Sequence, residues 1–253
     1  MQHTRAFIAI SSNAHTMSTH STSPVAIVTA AGRGMGAAIA RELHARGYRL
    51  GLMSPSGSAR ALATELGSFG LDGSVSQADD LQALVRGTLD AFGRVDAVVN
   101  HTGHPPKGDL LDLADDAWLA GDQMMVLPVL RMARLVTPAM LAQGKGAFVN
   151  ISTFAAFEPS LKFPISCTYR AAVGAFTKLY ADRYAPHNIR MNALLPGYVD
   201  SLDHKPETLG SIPMGRPGSV QEIARTAAFL LSDDAGYITG QNLRVDGGVT
   251  RGV

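Results

Sequence analysis

From residue 25 onward, short runs of branched apolar residues alternate with longer stretches in which apolar residues recur every three or four positions. The first pattern predicts buried strands, the second amphipathic helices. VAIVTA at 25–30 is the first strand and runs into a glycine cluster. The stretch GAAIARELHARG at 36–47 carries Ile39, Ala40 and Leu43 on one helical face, and YRLGLM at 48–53 reads as a second strand. Between 78 and 93, Leu81, Leu84, Val85, Leu89 and Phe92 fall at helical spacing, with Asp79 and Asp80 at the start and Gly93 at the end. Acids in a first turn and a glycine after the last turn are helix-end signals.

VDAVVN at 95–100 and GAFVNIS at 146–152 predict two more buried strands, separated by one long helix over about 115–142. A helix over 165–186, a strand over 188–196, a capped helix over 219–232 and a last strand at 242–245 complete the pattern. Strands alternating with helices imply a doubly wound α/β fold of Rossmann type, a parallel sheet covered on both faces. No break in composition marks a second domain, so residues 24–253 are expected to form one domain holding both a dinucleotide site and a substrate pocket. Residues 1–23 stand apart. The Ser/Thr/His-rich SSNAHTMSTHSTSP at 11–24 has no apolar periodicity and predicts a disordered tail.

Composition narrows the function classes. The chain is 46% hydrophobic and 17% charged, enough to build a sizeable core. Twenty-two basic and 21 acidic residues leave a net charge of +1, which favours neither nucleic acid nor an anionic membrane as a partner. No apolar run in the sequence looks long enough to span a bilayer. The single cysteine, Cys167, excludes a disulfide within the chain, and a reducing, cytoplasmic setting is expected. No metal-ligand cluster is expected.

The chemistry concentrates where the first strand meets the first helix. Thr29-Ala30-Ala31-Gly32-Arg33-Gly34-Met35-Gly36 joins them. Main-chain N–H groups at a helix N-terminus attract phosphate, and glycines let the chain approach it closely. At Ala30 a methyl group would be costly if the position needs a positive φ and harmless if it needs only a small residue; the second is the expectation. An acid at the end of the second strand would bond the ribose hydroxyls of NAD, but Ser54 stands there. With Arg33 in the loop, NADP(H) is favoured over NAD(H).

Taken in order, these motifs resemble the short-chain dehydrogenase/reductase superfamily. Its T-G-x-x-x-G-x-G motif matches Thr29–Gly36 except at Ala30. Asn100-His101-Thr102-Gly103 stands where the family has N-N-A-G, and Arg190–Ala193, Pro196-Gly197 and Val245–Gly248 match later motifs. The resemblance implies that Ala31, Gly32, Arg33, Gly34, Met35, Gly36, Ser54, Ser74, Val75, Asn100, His101, Thr102, Gly103, Arg170, Pro196, Gly197 and Val199 contact the cofactor, with Ser74 and Val75 flanking adenine. It also implies a homotetramer, with a dimer as second choice, paired through the two long helices.

The family's catalytic set is an Asn, a Ser, a Tyr and a Lys, the last two spaced Y-x-x-x-K. Ala171-Ala172-Val173-Gly174 matches the helix directly after the lysine, which places Arg170 at the lysine position and Ser166 at the tyrosine position. Thr153, thirteen residues before Ser166, takes the serine position and Met125 the asparagine position. The site is therefore expected to be atypical. A serine is a far weaker acid than a phenol, and nothing in the sequence indicates what would activate it. Tyr169 is either a displaced catalytic tyrosine or a packing residue between subunits. His104 and His101 follow the fourth strand and titrate near neutrality, so either can stand in as proton donor.

Three functions remain open. The first is an NADP(H)-dependent oxidoreductase acting on a small carbonyl or alcohol. The second is a non-redox enzyme, lyase or dehalogenase-like, that uses Arg170 and Thr153. The third is a catalytically inactive nucleotide-binding subunit.

Overall fold

The computed structural model describes residues 23–252. The sequence-predicted tail at 1–23 lies outside these residues apart from Ser23. Val25–Thr29 forms β1, buried along its whole length, as its branched side chains suit a strand between two helical layers. Arg49–Ser54 is β2, Phe69–Asp72 β3, Ala97–Asn100 β4, Gly146–Ile151 β5, Ile189–Pro196 β6 and Asn242–Val245 β7. They form one sheet in the order β3-β2-β1-β4-β5-β6-β7, with every neighbouring pair parallel. The order reverses between β1 and β4. In such sheets ligands bind outside the carboxyl ends of the strands at that reversal.

Eight helices accompany the strands among the described residues: Gly34–Ala45 (α1), Ser58–Glu65 (α2), Ala78–Phe92 (α3), Asp115–Met125 (α4), Leu127–Gln143 (α5), Pro164–Tyr184 (α6), Pro206–Gly210 (α7) and Val220–Leu231 (α8). On one sheet face, Ile39 and Leu43 of α1, Leu62 of α2 and Ile223 and Leu230 of α8 pack with Val28, Leu52 and Val149. On the other, Leu81 and Leu84 of α3, Met132, Val136 and Met140 of α5 and Tyr180 of α6 pack with Ile27, Val98, Phe148 and Met191. The alternation of Ile27 and Val28 between the two layers is the two-residue period of a strand. The expected doubly wound fold is borne out, as is the cap of α8, where Ser219 and Glu222 form a reciprocal capping box.

Three expectations need correction. The long helix over 115–142 is two helices, interrupted at Val126. Pro128, in the first turn of α5, has no N–H to continue the α4 ladder. The combined run Asp115–Gln143 is long and apolar enough to cross a membrane by length and composition, contrary to the reading of the sequence. In the fold it is a core element, with Met125, Val129, Met132, Val136 and Met140 buried. Third, α2 and β3 carry too little periodicity to be predicted. The buried residues of α2 are two alanines and one leucine, and β3 is a four-residue edge strand.

The turn after β1 is tighter than expected. Ala30 lies at φ +49, so the position does require the left-handed region and not merely a small side chain. The cause is local crowding. The Ala31 N–H donates across to the Met53 carbonyl at 3.0 Å, and a Cβ on Gly36 would stand 2.2 Å from the Ala30 carbonyl oxygen. A left-handed alanine costs about 1–2 kcal/mol, and a glycine there would lose ~0.4–1 kcal/mol of that gain to unfolded-state entropy. Ala30→Gly should therefore raise the unfolding free energy by about 0.5–1 kcal/mol. Urea melts of the two proteins check this, and an equal or lower midpoint for the variant would refute it.

Candidate functional site

The glycine-rich turn delivers the start of α1 to the carboxyl edge of the sheet. Arg33 is the exposed N-cap in extended conformation; no side chain caps the helix and no acid occupies its first turn. The first-turn N–H groups are therefore available to an outside anion, and Gly36, with no Cβ to strike the Ala30 carbonyl, lets the helix start pack close against the turn. This is the feature that fits a dinucleotide phosphate. Beside it, Ser54 at the end of β2 is buried, and its Oγ accepts from the Ala59 N–H at 3.1 Å. Ser54 Oγ also lies 3.3 Å from Ser58 Oγ, which in turn lies 2.8 Å from Ser56 Oγ. Ser56 and Ser58 were not singled out from the sequence. The signal was present in the alternate serines of Ser54-Pro55-Ser56-Gly57-Ser58. Further along the edge, the Ser74 N–H donates to Asp80 at 2.8 Å, which fixes the Ser74-Val75 turn after β3.

Across the reversal point, Thr29 joins the two inner strands. Its Oγ1 donates to the His101 carbonyl at 2.7 Å and accepts from the His101 N–H at 2.8 Å. The Asn100 side chain turns inward, with Nδ2 donating to Asn150 Oδ1 at 2.8 Å. Its side chain thus takes a place in a buried hydrogen-bonded chain. Asn150 Nδ2 donates to Thr177 Oγ1 at 2.9 Å, and Thr177 donates to the Val173 carbonyl. That chain ties β4 and β5 to α6.

α6 then presents its first two turns to the site. Arg170 is buried; its Nη1 donates to the Ile151 carbonyl at 2.6 Å and its Nε to Ser166 Oγ at 3.2 Å. The i, i+4 spacing thus places a guanidinium on the Ser166 hydroxyl, a neighbour the sequence did not reveal. Tyr169 points elsewhere. Its ring meets Trp118 of α4 edge-on at 5.9 Å and covers Gly121. It is a packing residue of the α4–α6 contact, which corrects its candidacy as a displaced catalytic tyrosine. Thr153 caps the short turn Phe154–Ala156, with Oγ1 accepting from the Ala155 N–H. Its own O–H remains free to donate.

The opposite wall follows β6. Gly197 has its N–H on the Val245 carbonyl and approaches Asp246 so closely that a Cβ would stand 2.7 Å from the Asp246 Cα. Val199 is buried and bridges to Gly218. His204 reaches back to the Val199 carbonyl at 2.7 Å, and Tyr198 packs on both Phe154 and His204. These contacts hold the segment after β6 over the β5–α6 loop.

Electrostatically the centre is cationic. Burial pulls the Arg170 guanidinium down to about 10, still charged at neutrality. Burial, with the charge of Arg170 and the neighbouring His104 adding to it, holds His101 down to about 3, so its imidazole is neutral. His104 is lowered for the same first reason, then by Arg170, Lys107 and Arg33. Arg33 and Lys107 are thus near enough to share one field with Arg170.

Comparison with known proteins agrees with this geometry. The family model described as enoyl-(acyl carrier protein) reductase matches residues 29–250. The chain is 30% identical to 3-oxoacyl-[acyl-carrier-protein] reductase FabG of Haemophilus influenzae, across 89% of this chain and 97% of the relative. It is 33% identical to the protein of the same name from Staphylococcus aureus, across 88% and 97%. Among solved structures, the TT0495 protein from Thermus thermophilus superposes with a TM-score of 0.81 at 32% identity, covering 89% of this chain and 98% of that one.

The neutral, buried His101 offers a direct test. A histidine near 6.5 in the unfolded chain and about 3 in the fold stabilises fully above pH 6.5. That contribution is lost as pH falls from about 6.5 toward 3, because the unfolded chain binds the extra proton. Thermal midpoints should fall over this window in the parent protein more steeply than in His101→Asn. Parallel curves would show that His101 does not titrate this way.

Proposed function

This chain belongs to the short-chain dehydrogenase/reductase superfamily of oxidoreductases, and we propose that it uses NADP(H) on a small carbonyl or alcohol, with non-standard groups handling the proton. The observation that carries this reading is the uncapped start of α1 beneath the Ala30–Gly36 turn, which offers main-chain N–H groups to a pyrophosphate. Ala31, Gly32, Gly34, Met35 and Gly36 would line that contact. The phosphate preference rests on Arg33, exposed at the helix start, and on the uncharged hydroxyls of Ser54, Ser56 and Ser58 at the end of β2. Ser74 and Val75 would border adenine, and His101, Thr102, Gly103, Pro196, Gly197 and Val199 the nicotinamide half.

The nicotinamide supplies or accepts the hydride. The protein's task is then to hold the substrate oxygen and manage its charge. Thr153 donates its free O–H to that oxygen. Arg170 cannot release its proton near neutrality, so it acts by field and through Ser166. His104, lowered below its ordinary value, is mostly neutral at pH 7 and takes a proton during alcohol oxidation more readily than it gives one during reduction. The second reading, a non-redox enzyme, draws support from the Ser166–Arg170 contact, which places a cation on a candidate nucleophile. The third, an inactive nucleotide-binding subunit, predicts binding without turnover.

NADPH fluorescence on mixing decides the first step, and turnover with a panel of small carbonyls decides the rest. Arg33→Ala should weaken NADPH binding by about 10–100-fold and leave NADH nearly unchanged. Thr153→Ala should lower the rate by about 10². The reductive rate should rise as pH falls below 7, and His104→Ala should abolish that rise. Ser166→Tyr with Arg170→Lys should increase carbonyl reduction. Nucleotide binding with no turnover in any variant would defeat the oxidoreductase reading.

We further propose that copies of the chain pair through α5 and α6 into a homotetramer. An apolar groove between them is lined by Leu130, Leu141, Phe176, Leu179 and Tyr184, and Leu141 and Leu179 are exposed. Light scattering should give four chain masses, and Leu179→Asp should reduce it. A monomeric parent protein would refute this.

A further inference from the structure

Two buried arginines stand in this core, and they are engaged unequally. Arg190 directs its guanidinium at three carbonyls, Leu230, Ile238 and Ser232, at 2.8–3.2 Å. Arg170 has one carbonyl and one hydroxyl, so two of its five N–H groups are engaged. No acidic side chain pairs with it among the described residues. A buried cation without a counter-charge is costly, and buried charges are ordinarily paired.

Arg170 borders a partly open cavity at the ends of β4 and β5, lined also by Met125 and Pro128, with about 20 Å³ of room for the centres of water-sized bodies. That is room for one water-sized occupant. The same cavity gathers the three buried side-chain polar atoms that lack a partner among the described residues: His101 Nδ1, Thr102 Oγ1 and Ser152 Oγ. Ser152 and Arg170 are only 7% and 8% exposed. Such orphans call for an occupant. None of the lining residues is acidic; Thr29, Asn100 and Asn150 also line it but already have partners, and Leu81, Met124, Val129 and Val173 make the remaining wall apolar. Each orphan can donate a hydrogen, and the guanidinium can only donate. The two hydroxyls and the neutral imidazole can serve a water as well, but a water would leave the charge of Arg170 unbalanced, whereas an anion would meet donors and neutralise it.

We propose that this cavity is a binding site for one small monovalent anion of the halide class, held by Arg170, Ser152, Thr102 and His101. The site does not depend on the oxidoreductase reading, because it forms within the chain without nucleotide or substrate.

The test uses the full chain without nucleotide. Thermal midpoints are measured in sodium chloride and sodium gluconate at equal ionic strength. Chloride should give a saturable excess of roughly 3–6 °C at about ten times its Kd. Arg170→Met should lose the excess, and Ser152→Ala should shift its half-saturation to higher chloride. As a readout independent of the folding of Arg170→Met, crystals of the parent protein are soaked in bromide, and an anomalous peak beside Arg170 and Ser152 is expected. Equal midpoints in the two salts overturn the proposal. So does density in the cavity with no anomalous signal, which would assign it to a water.

Discussion

Thr29 occupies the point on which the site turns. Its hydroxyl both donates to and accepts from the main chain of His101, joining the end of β1 to the segment after β4. These are the strands between which the order of the sheet reverses, so their loops depart in opposite directions and leave a crevice. One side of that crevice is the turn into α1 and the other is the histidine segment. A loop pair splayed by topology would otherwise drift. A hydroxyl that fills both roles with one neighbour fixes their spacing without adding charge.

A second constraint runs at right angles to the first. Asn100, Asn150 and Thr177 form a hydrogen-bonded chain from β4 through β5 to α6. Buried amides of this kind are costly unless every member is satisfied, and once satisfied they admit few alternative arrangements. The chain sets the height of α6 against the sheet, and so the depth of Arg170. The side chain of Asn100, a residue expected from the sequence at the cofactor, belongs to this frame.

The sheet and most helices were legible because their signals are local. Val25–Thr29 could be read from five consecutive residues, and α3 from its acids, its apolar spacing and Gly93 at φ +73. The interruption at Val126 was not legible, because proline is tolerated in a first turn and gave no reason to divide an otherwise apolar helix. Ala30 was misread because alanine is small in either conformation. What forces its positive φ is the closeness of Gly36 and the bond from Ala31 to Met53, which only the fold supplies. Among the candidates, the place of the glycine turn between β1 and α1 was legible from the sequence. The partners of Arg170, the direction of Tyr169 and the hydroxyl row at Ser56 and Ser58 were not, since each depends on which way a side chain turns.

These constraints bear on how the site could work. A hydride arriving at a carbonyl carbon leaves negative charge on the oxygen, and preorganised donors and cations stabilise that charge most when water is excluded. The groups near the Thr29 crevice are cations and neutral donors: Arg170, Arg33 and Lys107 share a field, and His101 and His104 are both pushed toward neutrality. A strong acid is not needed at the moment of transfer if the oxyanion is stabilised and protonated afterwards. If Ser166 and Arg170 stand where the family has a phenol and an amine, as proposed, proton relay is exchanged for fixed charge. The neutral histidines follow first from burial and then from the cations, because a site that holds Arg170 without a carboxylate disfavours a second positive charge beside it.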